Sequence, residues 1–163
     1  VVEGWIMKKH RIATYLFWIL LAEGVGGAAG WLTRDSVGLY TESIVQPPLS
    51  PPAWVFPVVW GLLYALMGIS AARVALAPGA RDRSRSLWIF GLQLAMNFFW
   101  SILFFNFQQF GLALLWVGAL WGVILWMIGS FREIEKTAAF LQLPYLAWVT
   151  FAAYLNLGVW LLN

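Results

Sequence analysis

Cysteine is absent from this chain of 163 residues, and histidine occurs once, as His10. Without cysteine the protein can form neither a disulfide nor a thiolate ligand, and a single histidine cannot build an ordinary zinc site. Inside a membrane, haem iron could then be ligated only by methionine or tyrosine. We therefore expect no metal site and no cofactor that the protein requires.

Charge is also scarce, since only 10% of the residues are charged, whereas a soluble domain has about 25%. Three segments carry no charge at all, namely residues 53–72, 86–131 and 137–163. A membrane-spanning helix needs about 20 such residues. The sequence therefore predicts a polytopic membrane protein that contacts lipid.

Motifs for soluble chemistry are missing too. The chain has no Gly-rich phosphate loop, no nucleophile elbow and no paired carboxylates, which excludes conventional nucleotide and hydrolytic chemistry. It also has no basic patch interleaved with aromatic residues outside the predicted spans. We expect no nucleic acid partner.

The helix count follows from the uncharged segments. Segment 86–131 is too long for one span and suits two, with a polar break at Asn106, Gln108 and Gln109. The first apolar run could instead be a signal peptide, but Glu23 makes a poor cleavage region, so we assign a helix. The sequence predicts an all-α five-helix bundle, a single domain over 1–163, with helices at about 12–31, 53–76, 86–106, 110–130 and 138–161.

Basic residues are distributed unevenly between the two sides that five spans create. Of the 10 Lys and Arg residues, Arg34 alone lies on one side. The others lie opposite: Lys8, Lys9, Arg11, Arg73, Arg81, Arg83, Arg85, Arg132 and Lys136. Because cytoplasmic loops carry the excess of Lys and Arg, we expect a multi-pass protein with a cytoplasmic N-terminus.

Prolines are concentrated before the second helix, with five of the 7 in the stretch PPLSPPAWVFPVVW, residues 47–60. Proline favours extended backbone or the first turn of a helix, where no amide donor is needed. This predicts a rigid hinge. The connection 32–52 is long for a membrane bundle, and loops of that length are commonly functional covers, so we expect a lid loop.

Tryptophan is abundant, at 12 residues. Some lie near predicted helix ends, where indole rings suit the headgroup level. Four fall inside predicted spans, namely Trp60, Trp100, Trp121 and Trp148. Packing against lipid would explain them, and so would an aromatic pocket for a flat ligand.

Polar residues inside the spans favour the pocket. Gln93, Asn97 and Ser101 recur at every fourth position and so share one helix face. Such groups turn inward in lipid and either pair between helices or line a cavity. Glu23 lies inside a predicted span, where burying a charged side chain in lipid costs more free energy than burying an uncharged polar one. We therefore expect it to face the bundle interior or a water-filled cleft.

Three motifs resemble one family. They read QPPLSPPAWVFPVVWGLLYALMG before and in the second helix, LQLAMNFFWSILFF in the third and LPYLAWVTFAAYLN in the fifth. In this order, within a five-span chain, they resemble the TspO/translocator protein family, also called tryptophan-rich sensory proteins and peripheral benzodiazepine receptors. The resemblance covers residues 12–162 and is to the bacterial type, which implies a bacterial cell membrane.

The resemblance implies a dimeric five-helix bundle with a pocket beneath the first loop. Such pockets accept porphyrins, which implies protoporphyrin IX or haem as the ligand, and other hydrophobic molecules. Carried over by position, the ligand-binding residues are Trp54, Trp60, Tyr64, Asn97, Trp100, Trp148, Ala152 and Asn156. For the homodimer we favour the third helix, where Gly91 and Ala95 have the spacing that permits close helix contact.

Three functions are compatible with this reading. The first is a membrane receptor or sensor that binds tetrapyrroles. The second is an enzyme that degrades porphyrin with light and oxygen, in which Trp60 and Trp148 would be the catalytic redox residues and would bracket a planar ligand by stacking. The third is a transporter of porphyrin or sterol-like ligands, which predicts inverted repeats and helices broken at the midplane.

Overall fold

The structure is a computed structural model that describes residues 1–163 and contains helices without any strand. Its elements are α1 (Val2–Ser43), α2 (Val55–Leu76), α3 (Arg83–Ser101), a π-helical turn (Ile102–Asn106), α4 (Phe110–Ile134), α5 (Lys136–Leu141) and α6 (Leu143–Leu162). The π-helical turn continues α3, and α5 and α6 form one span, so 5 segments are long and apolar enough to cross a membrane. The predicted all-α membrane fold is confirmed, and the chain is a multi-pass integral membrane protein.

The first helix is longer than predicted. α1 has 42 residues and at 1.5 Å per residue is about 63 Å long, whereas the hydrocarbon core is about 30 Å thick. The prediction of a loop over 32–52 was wrong for residues 32–43, because a helix outside the membrane needs no apolar run and the first helix breakers are Pro47 and Pro48. The connection to α2 is therefore only residues 44–54.

α1 packs mainly against α2, at very short range. A side chain at Gly68 of α2 would collide with the backbone of Ile19, and one at Gly26 of α1 would collide with the ring of Tyr64. Glycines at these positions let the two helices approach, which is how helices associate in lipid.

Many large apolar side chains point away from the bundle. Trp88 is 78% exposed and Leu115 is 74% exposed. Lipid tails are as apolar as such side chains, so exposure carries no hydrophobic penalty inside a bilayer. This surface accounts for the low share of buried residues in the spans.

The last span is broken near its start. α5 ends at Leu141, and Pro144 lies in the first turn of α6, where its missing amide donor costs nothing. Ser70 of α2 donates to the carbonyl of Ala138 in α5 at 2.7 Å. The break lies toward the side of the membrane that holds Lys136, here called the basic side, rather than at the midplane.

An ion pair links two parts of the bundle on the basic side. Arg73 Nε of α2 donates to Glu135 Oε2 at 2.5 Å, while Glu135 Oε1 accepts from the amide of Thr137 at 3.0 Å and so caps α5. The Arg73 guanidinium and this amide hold the pKa of the Glu135 carboxyl below its ordinary value. Glu135 thus joins α2 to the connection between α4 and α5.

Candidate functional site

A cavity of about 510 Å³ lies between α1, α2, the π-helical turn and α6. It extends along α1 from Glu23 to Thr41, and along α2 from Ala53, just before the helix, to Tyr64. Since α2 begins on the side opposite the basic side, Tyr64 and Glu23 form the deep end, and Thr41 and Ala53 form the mouth. Most lining residues are apolar.

Two indole rings meet at the deep end of the cavity. The rings of Trp60 and Trp148 lie 6.3 Å apart at 89°, and Trp60 also stacks on Tyr64 at 5.5 Å and 28°. The expectation that Trp60 and Trp148 bracket a planar ligand is wrong in this geometry, because they contact each other edge to face and leave no gap. They form a corner instead, named here the indole corner.

The indole corner has one free polar group. Trp148 Nε1 is buried and has no hydrogen bond partner in the protein. Buried indole N–H groups normally have a partner. Trp148 lines the cavity with its ring, but Nε1 itself is covered by protein, so a ligand acceptor would reach this N–H only after the ring turned.

A second aromatic group forms the wall toward the mouth. Trp100 stacks on Phe104 at 5.2 Å and 26°, and Tyr40 packs against Phe104 at 5.4 Å and Phe105 at 5.3 Å. Phe104 and Phe105 belong to the π-helical turn, and such turns are frequent at functional sites. Tyr40 belongs to the part of α1 that sequence reasoning assigned to a loop.

Behind the cavity, a chain of hydrogen bonds fixes Tyr64. Its hydroxyl donates to Asn97 Oδ1 at 2.9 Å, Asn97 Nδ2 donates to the Tyr145 hydroxyl at 2.8 Å, and Tyr145 donates to Gln93 Oε1 at 2.7 Å. All four side chains are buried. Asn97 therefore positions Tyr64 and does not itself line the cavity.

Asn156 holds Trp100 in position by hydrogen bonding, as Asn97 does for Tyr64. Asn156 Oδ1 accepts from Trp100 Nε1 at 3.1 Å, and Asn156 Nδ2 donates to the carbonyl of Phe110 at 2.8 Å. Both polar ends of the amide are thus paired within the protein, so it orients the Trp100 ring rather than contacting the cavity.

The predicted ligand-binding residues divide into three groups. Those that line the cavity are Trp60, Tyr64, Trp100, Trp148 and Ala152. Asn97 and Asn156 are buried directly behind the lining. Trp54 lies outside the lining and is 68% exposed.

Sequence reasoning missed most of the wall that α1 provides. Gly26, Ala29, Thr33 and Val37 line the cavity, but small and β-branched residues look the same in sequence whether they pack against a helix or line a cavity. Tyr145 was also missed, although a tyrosine directly after Pro144 in a span is a signal that could have found it. We expected Glu23 to face the bundle or a cleft, and in the structure it lines the cavity.

The connection 44–54 is tied to α6 beside the mouth. The Tyr154 hydroxyl donates to the carbonyl of Pro48 at 2.7 Å. Asn163 Nδ2 donates to the carbonyl of Val45 at 2.8 Å, and Asn163 Oδ1 accepts from the Val45 amide at 3.1 Å. Gly158 leaves room for the ring of Pro47. We name this set of contacts the latch.

Comparison with known proteins places the chain in a family. The family model described as the TspO/MBR family matches residues 15–161. The chain is 35% identical to the tryptophan-rich protein TspO of Chlorobaculum tepidum, over 95% of this chain and 99% of that protein. It is 34% identical to the tryptophan-rich sensory protein of Cereibacter sphaeroides, over 88% of each chain. It is also 32% identical to the translocator protein of Bos taurus, over 86% of this chain and 85% of that protein. The chain therefore belongs to the TspO/MBR family.

Proposed function

We propose that this protein is a membrane receptor or sensor that binds a tetrapyrrole, protoporphyrin IX or haem, in the cavity within its helix bundle. The observation that carries the proposal is the indole corner, which presents a broad aromatic surface inside a mostly apolar cavity. Family membership supports the receptor role, since one relative is named a sensory protein.

The dimensions and chemistry of the cavity suit such a ligand. Small-molecule sites commonly enclose about 300–1,000 Å³, with mostly apolar walls and a few placed polar groups, and this cavity measures about 510 Å³. Trp60 and Trp100 supply large ring faces for a planar molecule, and Arg34 near the mouth supplies a cation for an acidic substituent. Protoporphyrin combines an apolar planar ring with two carboxylates.

The test is a titration of purified protein in detergent, in metal-chelated buffer, with protoporphyrin IX and with haem, followed by quenching of tryptophan fluorescence. Trp60→Phe and Trp148→Phe should each weaken binding about two- to twelvefold, because an aromatic contact contributes about 0.5–1.5 kcal/mol beyond burial. Trp88→Phe is the matched control, since Trp88 is 78% exposed and lies outside the cavity. Equal affinities for all three variants and the parent would refute the site.

A second candidate function is degradation of the bound porphyrin by light and oxygen. The contact between Trp60 and Trp148 favours it, since two indoles in contact can supply an electron to an excited ring more readily than phenylalanine can. In the net reaction oxygen would be the oxidant and would be added to the porphyrin, while an indole that gives one electron to the excited ring would take one electron back in a later step and be unchanged overall. Aerobic illumination with analysis of tetrapyrrole products tests this. Unchanged turnover in the Trp60→Phe, Trp148→Phe double variant would exclude both residues from the chemistry.

We also propose that the protein forms a homodimer through α3. Gly91 and Ala95 are exposed on the outside of the bundle, and a side chain added at Gly91 would meet nothing within 4 Å in the protomer. Replacing both with leucine should leave the fold intact and shift the protein to a monomer in detergent and in bilayers. A dimer that persists would place the interface elsewhere.

A further inference from the structure

A second groove, of about 720 Å³, lies on the basic side of the bundle between the start of α3 and the end of α4. It shares no lining residue with the cavity that contains the indole corner. The Ser86 and Ser130 hydroxyls, one from each helix, are hydrogen-bonded to each other at this groove. A side chain at the neighbouring Gly129 would meet nothing within 4 Å. The groove therefore has space beside this bond that no side chain fills.

Charges of both signs line this groove without pairing. Four charged residues do so, all of them exposed: Arg81, Asp82, Arg85 and Glu133. The only ion pair of the protein joins Arg73 to Glu135, so none of the four is paired with another. Opposite charges gain little by pairing with each other where water surrounds them. Two guanidinium groups and two carboxylates in one groove match a ligand that carries both a negative and a positive charge, rather than a simple anion.

The groups follow an order along the direction that leaves the membrane. Trp126 of α4 lines the groove and is half exposed, as suits an indole ring at the headgroup level. The Arg85 guanidinium lies over this ring, 5.9 Å from its centroid. Glu133 lies two turns after Trp126 on α4, which is about 10 Å further toward the water at 1.5 Å per residue. From the membrane outward, the groove therefore presents an indole ring, a guanidinium and then a carboxylate.

We propose that this groove binds the headgroup of a phospholipid that carries a primary ammonium, as phosphatidylethanolamine does. From the acyl chains outward, such a lipid presents glycerol, phosphate and ammonium, which is the complement of the order found in the groove. The guanidinium of Arg85 suits the phosphate, since arginine can donate two N–H groups to it at once. The ammonium has three donors, and Glu133 lies on its side of the phosphate. The acyl chains pass over Trp126 into the surrounding lipid, and this site is independent of the proposed tetrapyrrole cavity.

The experiment measures lipid binding to the purified protein in detergent by native mass spectrometry. Phosphatidylethanolamine, phosphatidylcholine and phosphatidylglycerol are compared with identical acyl chains. The first should bind about two- to fivefold more tightly than the others, the size expected for an exposed ion pair, because choline has no N–H and glycerol has no charge. Glycerophosphoethanolamine, the same headgroup without acyl chains, should not displace the lipid at equal concentration. Equal affinities for the three lipids, or displacement by the chain-free compound, would overturn the proposal.

Variants of exposed residues place the binding in this groove. Arg85→Gln should weaken all three lipids about two- to fivefold, because each has a phosphate. Glu133→Gln should weaken phosphatidylethanolamine by a similar factor but not phosphatidylglycerol, whose net negative charge the carboxylate repels. Arg132→Gln is the matched control, since it removes an exposed cation outside the groove lining and should leave the lipid preference unchanged. Equal effects of Arg85→Gln and Arg132→Gln, or a parallel loss of both lipids in Glu133→Gln, would overturn the site.

Discussion

The ring of Tyr64 occupies the space that a side chain at position 26 would fill, so Gly26 and Tyr64 are complementary across the contact between α1 and α2. Tyr64 cannot readily move aside, because its hydroxyl is bonded to Asn97 and its ring stacks on Trp60. The deep end of the cavity therefore depends on the absence of a side chain on α1.

Gly26→Ala should destabilise the protein by about 1–3 kcal/mol, the usual cost of overpacking. Gly24→Ala is the matched control, since a side chain there would meet nothing within 4 Å and alanine favours a helix over glycine by about 1 kcal/mol. Thermal unfolding in detergent measures both. Equal melting temperatures for the two variants would mean that the Tyr64 ring can shift to make room without any loss of folding stability.

The bond between Tyr64 and Asn97 should appear as an energetic coupling. Asn97→Leu leaves the buried Tyr64 hydroxyl without its acceptor, which costs about 1–3 kcal/mol, whereas in the Tyr64→Phe background that hydroxyl is already absent. The double variant should thus be more stable than the sum of the single effects predicts, by at least about 0.5 kcal/mol. Denaturant unfolding of all four proteins gives this value, and strict additivity would contradict it.

The ion pair of Glu135 predicts how stability depends on pH. The pKa of Glu135 is lowered in the folded protein from its ordinary 4.5, first by Arg73. A lowered pKa means that the contribution is fully present above pH 4.5 and is lost as the pH falls through the folded value. Glu135→Gln should therefore lower the melting temperature at pH 7 and have a smaller effect in strong acid. Glu133→Gln is the control, since Glu133 is exposed and outside the ion pair; the same pH profile in both variants would refute the assignment.

Orientation in the membrane is a further prediction, based on the basic residues that lie on the side of the N-terminus. Because the chain has no cysteine, single cysteines can be introduced at Val45 and Asp82 without background. A reagent that cannot cross the membrane should label position 45 from outside and position 82 only after the cell is opened. Labelling of both positions from the same side would refute the predicted topology.

Sequence alone predicted the spans well because lipid imposes a simple rule on length and charge. The same rule failed for residues 32–43, where the apolar run has ended and the helix nevertheless continues to Ser43. Nothing in a hydropathy pattern distinguishes a helix that projects from the membrane from a loop. The absence of proline between Trp31 and Pro47 is the only local signal of the longer helix.

The candidate site was predictable by residue type but not by geometry. Trp60 and Trp148 were predicted from the family resemblance and from their positions inside the spans, and both line the cavity. Their angle of 89° depends on how α2 and α6 cross and on side-chain rotamers, and a single sequence contains neither. For the same reason Asn97 could be assigned to a polar face, while its partners Tyr64 and Tyr145 became evident only in three dimensions.

If a ligand enters and leaves through the mouth, the latch can change how fast it exchanges without changing how tightly it binds. Its bonds join the connection 44–54 to α6 at the mouth and touch none of the rings at the deep end. If the mouth must open for passage in either direction, breaking the bond from Tyr154 to Pro48 lowers the barrier to entry and to escape by the same amount. Residence time can then change while the equilibrium constant stays the same, so the period for which a receptor of this design holds its ligand is adjustable at a place remote from the binding groups.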